Sequence, residues 1–508
     1  MKKFLATLLT TAMTVSLLTG CGGKGEPEAP EAPAQSEDAA QTEDVAPDAG
    51  EAEDAGQEEP ADAEQTGSGS YAAYDAIDVE SLRGTSITVY THMGQRVLGE
   101  EKKDEQGNTY RDESTAILAQ LAERFEEEYG IHVDFQISQT ESDIEPLLQV
   151  QDPAVDVFTN PNWPVEKWQS YAEPYFTLEE GEAIYGEYAS VMPNDGEYIY
   201  SLMPGKAYDN AVVYNEEAIK SVGYDAIPGT LDEFNEMCKK LKEAGITPIS
   251  LHRVENWPLD TLKGFANYVS GDNDTFDAML KSDTPFNEDE PVGKTIKMYT
   301  QWKADGFFEP EMYTDFGVAM DSVAYGDAAM MLFGSWVVPQ IQGRVPEGTS
   351  PSVIKFAPAP DFGNGRLVTA AAADNYSIGK GSDNKDAARL FIEYIAEDAQ
   401  FIADSGFIAN KAGVEPIVPD LYAVIDEAIE KGEASTILQA ATTQNKLNNE
   451  EALGEANLLA DIKWAGNLFD ALDVTKPDDW SAYEKQVQTQ NEAYAEAKEY
   501  LGYEWIGE

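Results

Sequence analysis

The chain has 508 residues, 42% of them hydrophobic and 10% aromatic, enough to build the cores of two or three domains. Its 94 acidic and 34 basic residues leave a formal net charge of -60 at pH 7. A field of that sign repels phosphate backbones and anionic headgroups, which argues against nucleic acid as a partner and against flat adsorption to a membrane. Cysteines occur only at Cys21 and Cys238, so no disulfide framework is expected.

The chain opens with Lys2 and Lys3, then an apolar stretch over residues 4–18. That stretch is shorter than the roughly 20 apolar residues needed to span a bilayer and fits the central region of a secretory signal. It ends in Leu18-Thr19-Gly20-Cys21, which resembles a bacterial lipobox. In such a motif small residues admit the signal peptidase and the thiol is acylated before cleavage. Residues 1–20 are therefore expected to be a lipoprotein signal peptide. Cys21 would be a lipid-bearing N-terminus that anchors the protein to the outer face of a bacterial cell membrane. Residues 24–70 contain Glu, Asp, Ala, Pro, Gln and Gly but no aromatic residue. Such a segment buries too little apolar surface to offset its ordering entropy, and residues 21–80 read as a disordered acidic tether.

The folded body then begins. "TSITVYTH" alternates Ile87 and Val89 with Thr88 and Tyr90 and predicts a strand. "ESTAILAQLAERFEEEYG" places Ile117, Leu118, Leu121 and Phe125 at helical spacing and stops at Gly130. "IHVDFQIS" returns to period two, with His132 expected to face solvent, and "AVDVFTNPNWP" reads as a short buried strand. This order predicts an α/β body with a largely parallel sheet. In "GTLDEFNEMCKKLKEAGI", Thr230 and Glu233 form a possible capping box and Gly245 a stop. Its apolar stripe includes Cys238, which reads as a small core residue. Further helices are predicted in "PVGKTIKMYTQWKADGFF", in "DNKDAARLFIEYIAEDAQFIADSG" taken as one, and in "WSAYEKQVQTQNEAYAEAKEYLG".

In this order "ITVYTHMG", "LAERFEEEYGIHVDF", "VDVFTNPNWP", "NAVVYNEEAIKSVGYDAIPGTLDEFNEMCKKLKEAGITPISL", "AYGDAAMMLFGSWVVPQI" and "DNYSIGKGSDNKDAARLFIEYIAEDAQ" are similar to stretches of a known family. The chain resembles the extracellular solute-binding proteins of ABC importers, in particular the carbohydrate-binding family that includes maltose-binding protein. The resemblance implies an α/β fold of two lobes with a hinge and a ligand cleft between them. It implies one lobe from 86–205 plus 376–419 and a second from 206–375 plus 421–508. It also implies a monomeric receptor without cofactor that captures a mono- or oligosaccharide by closing and delivers it to the permease subunits of an ABC transporter.

A cleft for a neutral polyol needs aromatic faces for the sugar's C–H surface and amides or carboxylates for its hydroxyl rim. In α/β sheets such groups stand beyond the carboxyl ends of strands. His92, Asn160, Asn162 and Trp163 occupy such loops, Tyr208 and Asp209 precede a hinge-like strand, and Asp374 and Tyr376 stand where the chain would cross back. His252 and Trp257 follow "TPISL", and Trp336 lies in "GSW". In the family, aromatics equivalent to Trp257 and Trp336 often face the cleft, as does a polar residue near Asp209. Trp163 has packing within its lobe as the alternative, whereas Trp168, Trp302 and Trp464 are expected in cores. "PVGKT" lacks the first glycine of a phosphate-binding loop, with Glu288 in its place, and "GDNDTFDAMLK" has Phe276 where a calcium loop needs a ligand. No metal and no catalysis is expected. A receptor for polyamines, peptides or other cations is the alternative, followed by a lipid-anchored glycoside hydrolase, whose two carboxylates need no local motif.

Overall fold

The period-two stretches form a first sheet. Strand Ser86–Thr91 buries Ile87 and Val89 completely and pairs in parallel with His132–Ile137 on one side and Val157–Phe158 on the other. Ser377–Ile378 completes it, antiparallel to Val157–Phe158. These relations come from a computed structural model that describes residues 77–507 apart from 104–108, 139–142, 160–162, 164, 310–311, 313 and 442. The expected signal segment, Cys21, the tether as far as residue 76, Asn160 and Asn162 lie outside the described residues. A 3-10 turn, Val79–Leu82, already packs Val79 and Leu82 on the first core.

Helix Ile117–Tyr129 makes the crossover between the parallel strands and stops at Gly130, whose φ of 67° suits a residue without a side chain. Its Leu118, Leu121 and Phe125 share a core with helix Lys385–Glu397, the Phe125 and Phe391 rings meeting edge to face at 5.1 Å. The stretch read as one helix is two. Asp398 ends the first, and its carboxylate accepts from the Phe401 N–H at 2.8 Å to cap the second, Ala399–Asp404.

The second sheet runs Thr247–Ile249, Ala328–Phe333, Ala211–Asn215, Ile354–Ala357. Ala211–Asn215 is antiparallel to both of its neighbours, and only Thr247–Ile249 and Ala328–Phe333 run in parallel. The expectation of a largely parallel sheet holds for the first sheet, where two of the three strand pairs are parallel, and does not extend to this second one. Ala211–Asn215 enters straight from the other lobe, with no helical crossover to set it parallel to its neighbours, and pairs antiparallel with both. Helix Leu231–Glu243 buries Phe234, Met237, Cys238 and Leu241. The Thr230 hydroxyl accepts from the Glu233 N–H at 3.3 Å and donates to the Glu233 carboxylate at 3.2 Å, a cap closed through the hydroxyl. Burial pushes the Cys238 thiol far above its usual range. Helices Gln444–Glu455, Lys463–Ala471 and Ser481–Leu501 add Leu453, Trp464, Leu468, Phe469 and Tyr494 to this second core. Trp168, Trp302 and Trp464 are all buried, and exposed His132 holds Glu126 at 2.7 Å.

A third sheet joins the lobes. Gly205–Asp209 leads from the first lobe into Ala211–Asn215 and lies antiparallel to Leu367–Ala373, which leads back toward Ser377–Ile378. Ile408–Ala409 and Ser435–Leu438 flank the pair. The hairpin Glu100–Lys103 with Thr109–Asp112 was not legible in the sequence. It belongs to the first lobe, yet its Glu100 carboxylate lies 3.5 Å from Arg344 of the second, which also donates to Asp321 at 3.0 Å.

Inside the first lobe, fully buried Glu393 is held by Lys411 at 2.8 Å and by the Tyr175 hydroxyl at 2.9 Å. Removing one partner of a buried pair strands the other charge. Lys411→Met is expected to cost about 3 kcal/mol in urea unfolding, and Glu393→Gln in the same background should recover part of the loss.

Candidate functional site

The second sheet ends in an aromatic group. Phe333 is the last residue of Ala328–Phe333, and Gly334, Ser335 and Trp336 turn the chain into helix Val337–Gln342. His252 lies three residues beyond the parallel neighbour Thr247–Ile249, and Trp257 opens the 3-10 turn Trp257–Thr261. Phe316 opens helix Phe316–Tyr325, which Asp315 caps by accepting from the Val318 N–H at 2.9 Å. The Trp257 ring lies 4.9 Å from His252, 5.3 Å from Phe316, 5.6 Å from Phe333 and 6.3 Å from Trp336. Trp336 in turn is 5.7 Å from Phe316 and 5.9 Å from Phe333, and it packs against the cores of both lobes. The group thus stands at the carboxyl ends of the two parallel strands, where α/β sheets take their ligands.

Asp209, at the end of the crossing strand, meets this group. A Cβ on Gly334 would lie 1.8 Å from the Asp209 Oδ1 and 2.8 Å from the Trp336 Cδ1, so only glycine lets the carboxylate and the indole approach as they do. The Ser335 N–H donates to the Tyr208 carbonyl at 2.8 Å, tying that turn to the crossing strand. No cation pairs with Asp209 among the described residues. Desolvation raises its pKa to about 6, while the Asn210 N–H opposes the shift. Asn210 adopts a left-handed φ of 53° and donates its amide to the Thr261 carbonyl at 2.9 Å. Tyr208 is half-buried, its ring 5.3 Å from Tyr422 and its hydroxyl on Asp426. The Tyr422 hydroxyl donates to the Gly406 carbonyl at 2.6 Å and lies 2.8 Å from the Ser335 hydroxyl.

The remaining expected residues form two other groups. Asp374, at a left-handed φ of 64°, accepts from Arg96 at 2.7 Å and from the Tyr376 hydroxyl at 2.9 Å. Tyr376 is fully buried and holds Asp374 rather than facing a cleft. His92 stands near this pair with its Nδ1 3.1 Å from the Thr159 hydroxyl, and burial pulls its pKa below the usual range. Trp163 packs on Phe158, Trp168 and Tyr171 at 5.4–5.7 Å and lends its carbonyl to the Trp168 indole. The fold therefore gathers Tyr208, Asp209, Trp257 and Trp336 at one place, His92, Asp374 and Tyr376 at another, and Trp163 in a third. Sequence reasoning missed Phe316, Phe333 and Tyr422. Phe333 ends an all-apolar strand and looks like core, and Phe316 and Tyr422 sit at helix starts that only the fold brings together. Among the described residues no group of His, Cys, Asp or Glu is arranged to hold a metal ion.

Residues 109–400, more than half of the chain, match a family model described as bacterial extracellular solute-binding protein. Among solved structures, the chain is similar to BlMnBP1, a binding protein of an ABC transporter from Bifidobacterium animalis subsp. lactis solved with mannobiose. That match has 20% identity over 84% of this chain and 98% of the other, with a TM-score of 0.68. It is also similar to unliganded RafE from Streptococcus pneumoniae, at 17% identity over 82% and 98% and a TM-score of 0.54. The GacH receptor of Streptomyces glaucescens matches at 16% identity over 81% and 98%, with a TM-score of 0.53. No curated protein sequence matches. At these identities the likeness establishes the fold.

The raised pKa of Asp209 makes a pH prediction. Between its unfolded value near 3.9 and its folded value, the native state holds the extra proton, so this group's contribution to stability falls as pH rises through that window. Asp209→Asn is expected to stabilise the protein by about 1–3 kcal/mol at pH 8. The advantage should shrink on going from pH 6 to pH 4, as followed by thermal melts of both proteins. A constant difference across pH would refute the assignment.

Proposed function

The chain belongs to the bacterial extracellular solute-binding proteins, and from that membership we propose that it is the receptor of a carbohydrate ABC importer. The observation that carries this reading is the aromatic group of Trp257, Phe316, Phe333 and Trp336 at the strand ends, with the carboxylate of Asp209, which no cation pairs among the described residues, against it. Indole faces suit the C–H face of a sugar ring, and a lone carboxylate accepts from two of its hydroxyls. The relatives' ligands point the same way: mannobiose for BlMnBP1, raffinose for RafE, acarbose for GacH.

Lobe one comprises 86–205 plus 376–419 and lobe two 206–375 plus 421–508, a partition supported by the crossing pair of Gly205–Asp209 and Leu367–Ala373. The sugar contacts both lobes only when they close, and its preference for that state shifts the population toward it. Trp336 and the Arg344–Glu100 pair already join the lobes and support such a movement. The closed form is what the permease subunits recognise. Cys21 carries the lipid that keeps the receptor at the outer membrane face, and among the described residues no helix is long and apolar enough to cross a membrane. On the first-lobe side the reading takes in His92 and Asp374, with buried Tyr376 bracing Asp374 from behind. The receptor binds its solute without turnover, as a monomer and without a cofactor. A cationic solute is the second reading, favoured by Asp209 alone.

Calorimetric titration of the secreted chain carrying Cys21→Ser tests this, with mannobiose, raffinose, acarbose, polyamines and short peptides. Binding of an oligosaccharide that is recovered uncleaved is expected. Binding confined to polyamines or peptides, or cleavage of the sugar, would overturn the proposal. Trp336→Ala should weaken saccharide binding by about 1–3 kcal/mol while the circular dichroism spectrum stays unchanged.

A further inference from the structure

His252 is 2% exposed, and its ring lies 4.9 Å from Trp257, 4.9 Å from Phe316 and 6.4 Å from Phe333. Neither ring nitrogen has a hydrogen-bond partner among the described residues. Buried polar groups in that condition are rare, and each unmade bond costs the folded state. Burial pulls the imidazole pKa down to about 4 against the opposing influence of Asp315, so the ring is neutral at pH 7. A neutral imidazole offers one donor and one acceptor. A hydroxyl is both and can satisfy either nitrogen, whereas an ammonium or a carboxylate can satisfy only one of them. Trp257, Phe316 and Trp336 are half-buried, while His252 and Phe333 are the enclosed members of the group. The aromatic group therefore has partly exposed members and, enclosed behind them, one polar ring.

We propose that His252 is a ligand-contacting residue that determines specificity, its imidazole edge taking a hydroxyl of a sugar seated on Trp257 and Trp336. A turn of the Trp257 ring, which meets His252 edge-on, opens the way. The inference rests on the carbohydrate reading above. It explains what the aromatic faces alone cannot, which is selection of a polyol over an apolar ligand of the same shape. A ligand hydroxyl at this point satisfies a group that otherwise stays unmade, and an analogue lacking it gains nothing there.

The test compares the intact secreted chain with His252→Phe and His252→Gln by melting temperature and by titration with mannobiose, raffinose and acarbose. His252→Phe removes both orphaned nitrogens, so its unliganded melting point should rise by about 1–5 °C. Its affinity for the saccharide that the unaltered protein binds should fall at least tenfold, and His252→Gln should retain part of that affinity. A rise in stability with affinity within twofold of the unaltered protein would make His252 a core residue and overturn the inference, leaving the carbohydrate reading intact. If the unaltered protein binds none of the three, that reading falls first and this one with it. Should His252→Phe fail to fold, the imidazole nitrogen shifts decide, since the chain has only three histidines to assign. The His252 signals should move on adding the bound saccharide, and unmoved signals would overturn the inference.

Discussion

The bond from the Ser335 N–H to the Tyr208 carbonyl fixes the second lobe's ligand-bearing turn to the strand that crosses between lobes. Everything at the site follows from that attachment. It brings Gly334 so close to Asp209 that a methyl group has no room, and it sets Trp336 beside the carboxylate. Tyr422 reinforces it from the other side, reaching Ser335 and the Gly406 carbonyl together. Gly406 is itself pressed against the second lobe: a Cβ there would lie 3.0 Å from Pro339. The turn, the crossing strand and the first-lobe return segment are thus clamped at one point.

The charge distribution separates surface from site. The chain carries a net charge of -60, yet two of its buried carboxylates are held by cations, Asp374 by Arg96 and Glu393 by Lys411. Asp209 is left with aromatic rings and a backbone N–H for company. The overall acidity therefore describes a mostly solvated exterior, and at the site the Asp209 carboxylate stands against an apolar wall with Asp315 at its edge. That pattern favours ligands whose polarity is carried by hydroxyls.

Much of the fold was legible because local rules and tertiary packing agreed. Period-two aliphatics at Ile87 and Val89, the stop at Gly130 and the stripe ending in Leu241 each depend on neighbours in sequence, and each is found as read. The parallel pairing of the first sheet was legible, but the direction of the second was not, since it depends on where a chain arrives from, and the Asp398 break was hidden inside a continuous helical pattern. At the site, Trp257 and Trp336 were visible as large aromatics after strands. Asp374 and Tyr376 carried the same kind of signal but are occupied by Arg96, a partner that precedes them by more than 270 residues. Phe316 and Phe333 could not be told from core because their value lies in mutual distance, which composition does not encode.

The crossing strand Leu367–Ala373 ends in four successive alanines, three of them paired with Gly205, Lys206 and Ala207. These methyl groups are buried, Ala372 and Ala373 in the first lobe's core, so bending the four-stranded sheet here displaces short side chains rather than long ones. What ties the two crossing strands to each other is then chiefly the backbone hydrogen bonds of the sheet. The angle between the lobes then depends on the contacts that span them, Arg344 with Glu100 and Trp336 with both cores, and on whatever enters the space between.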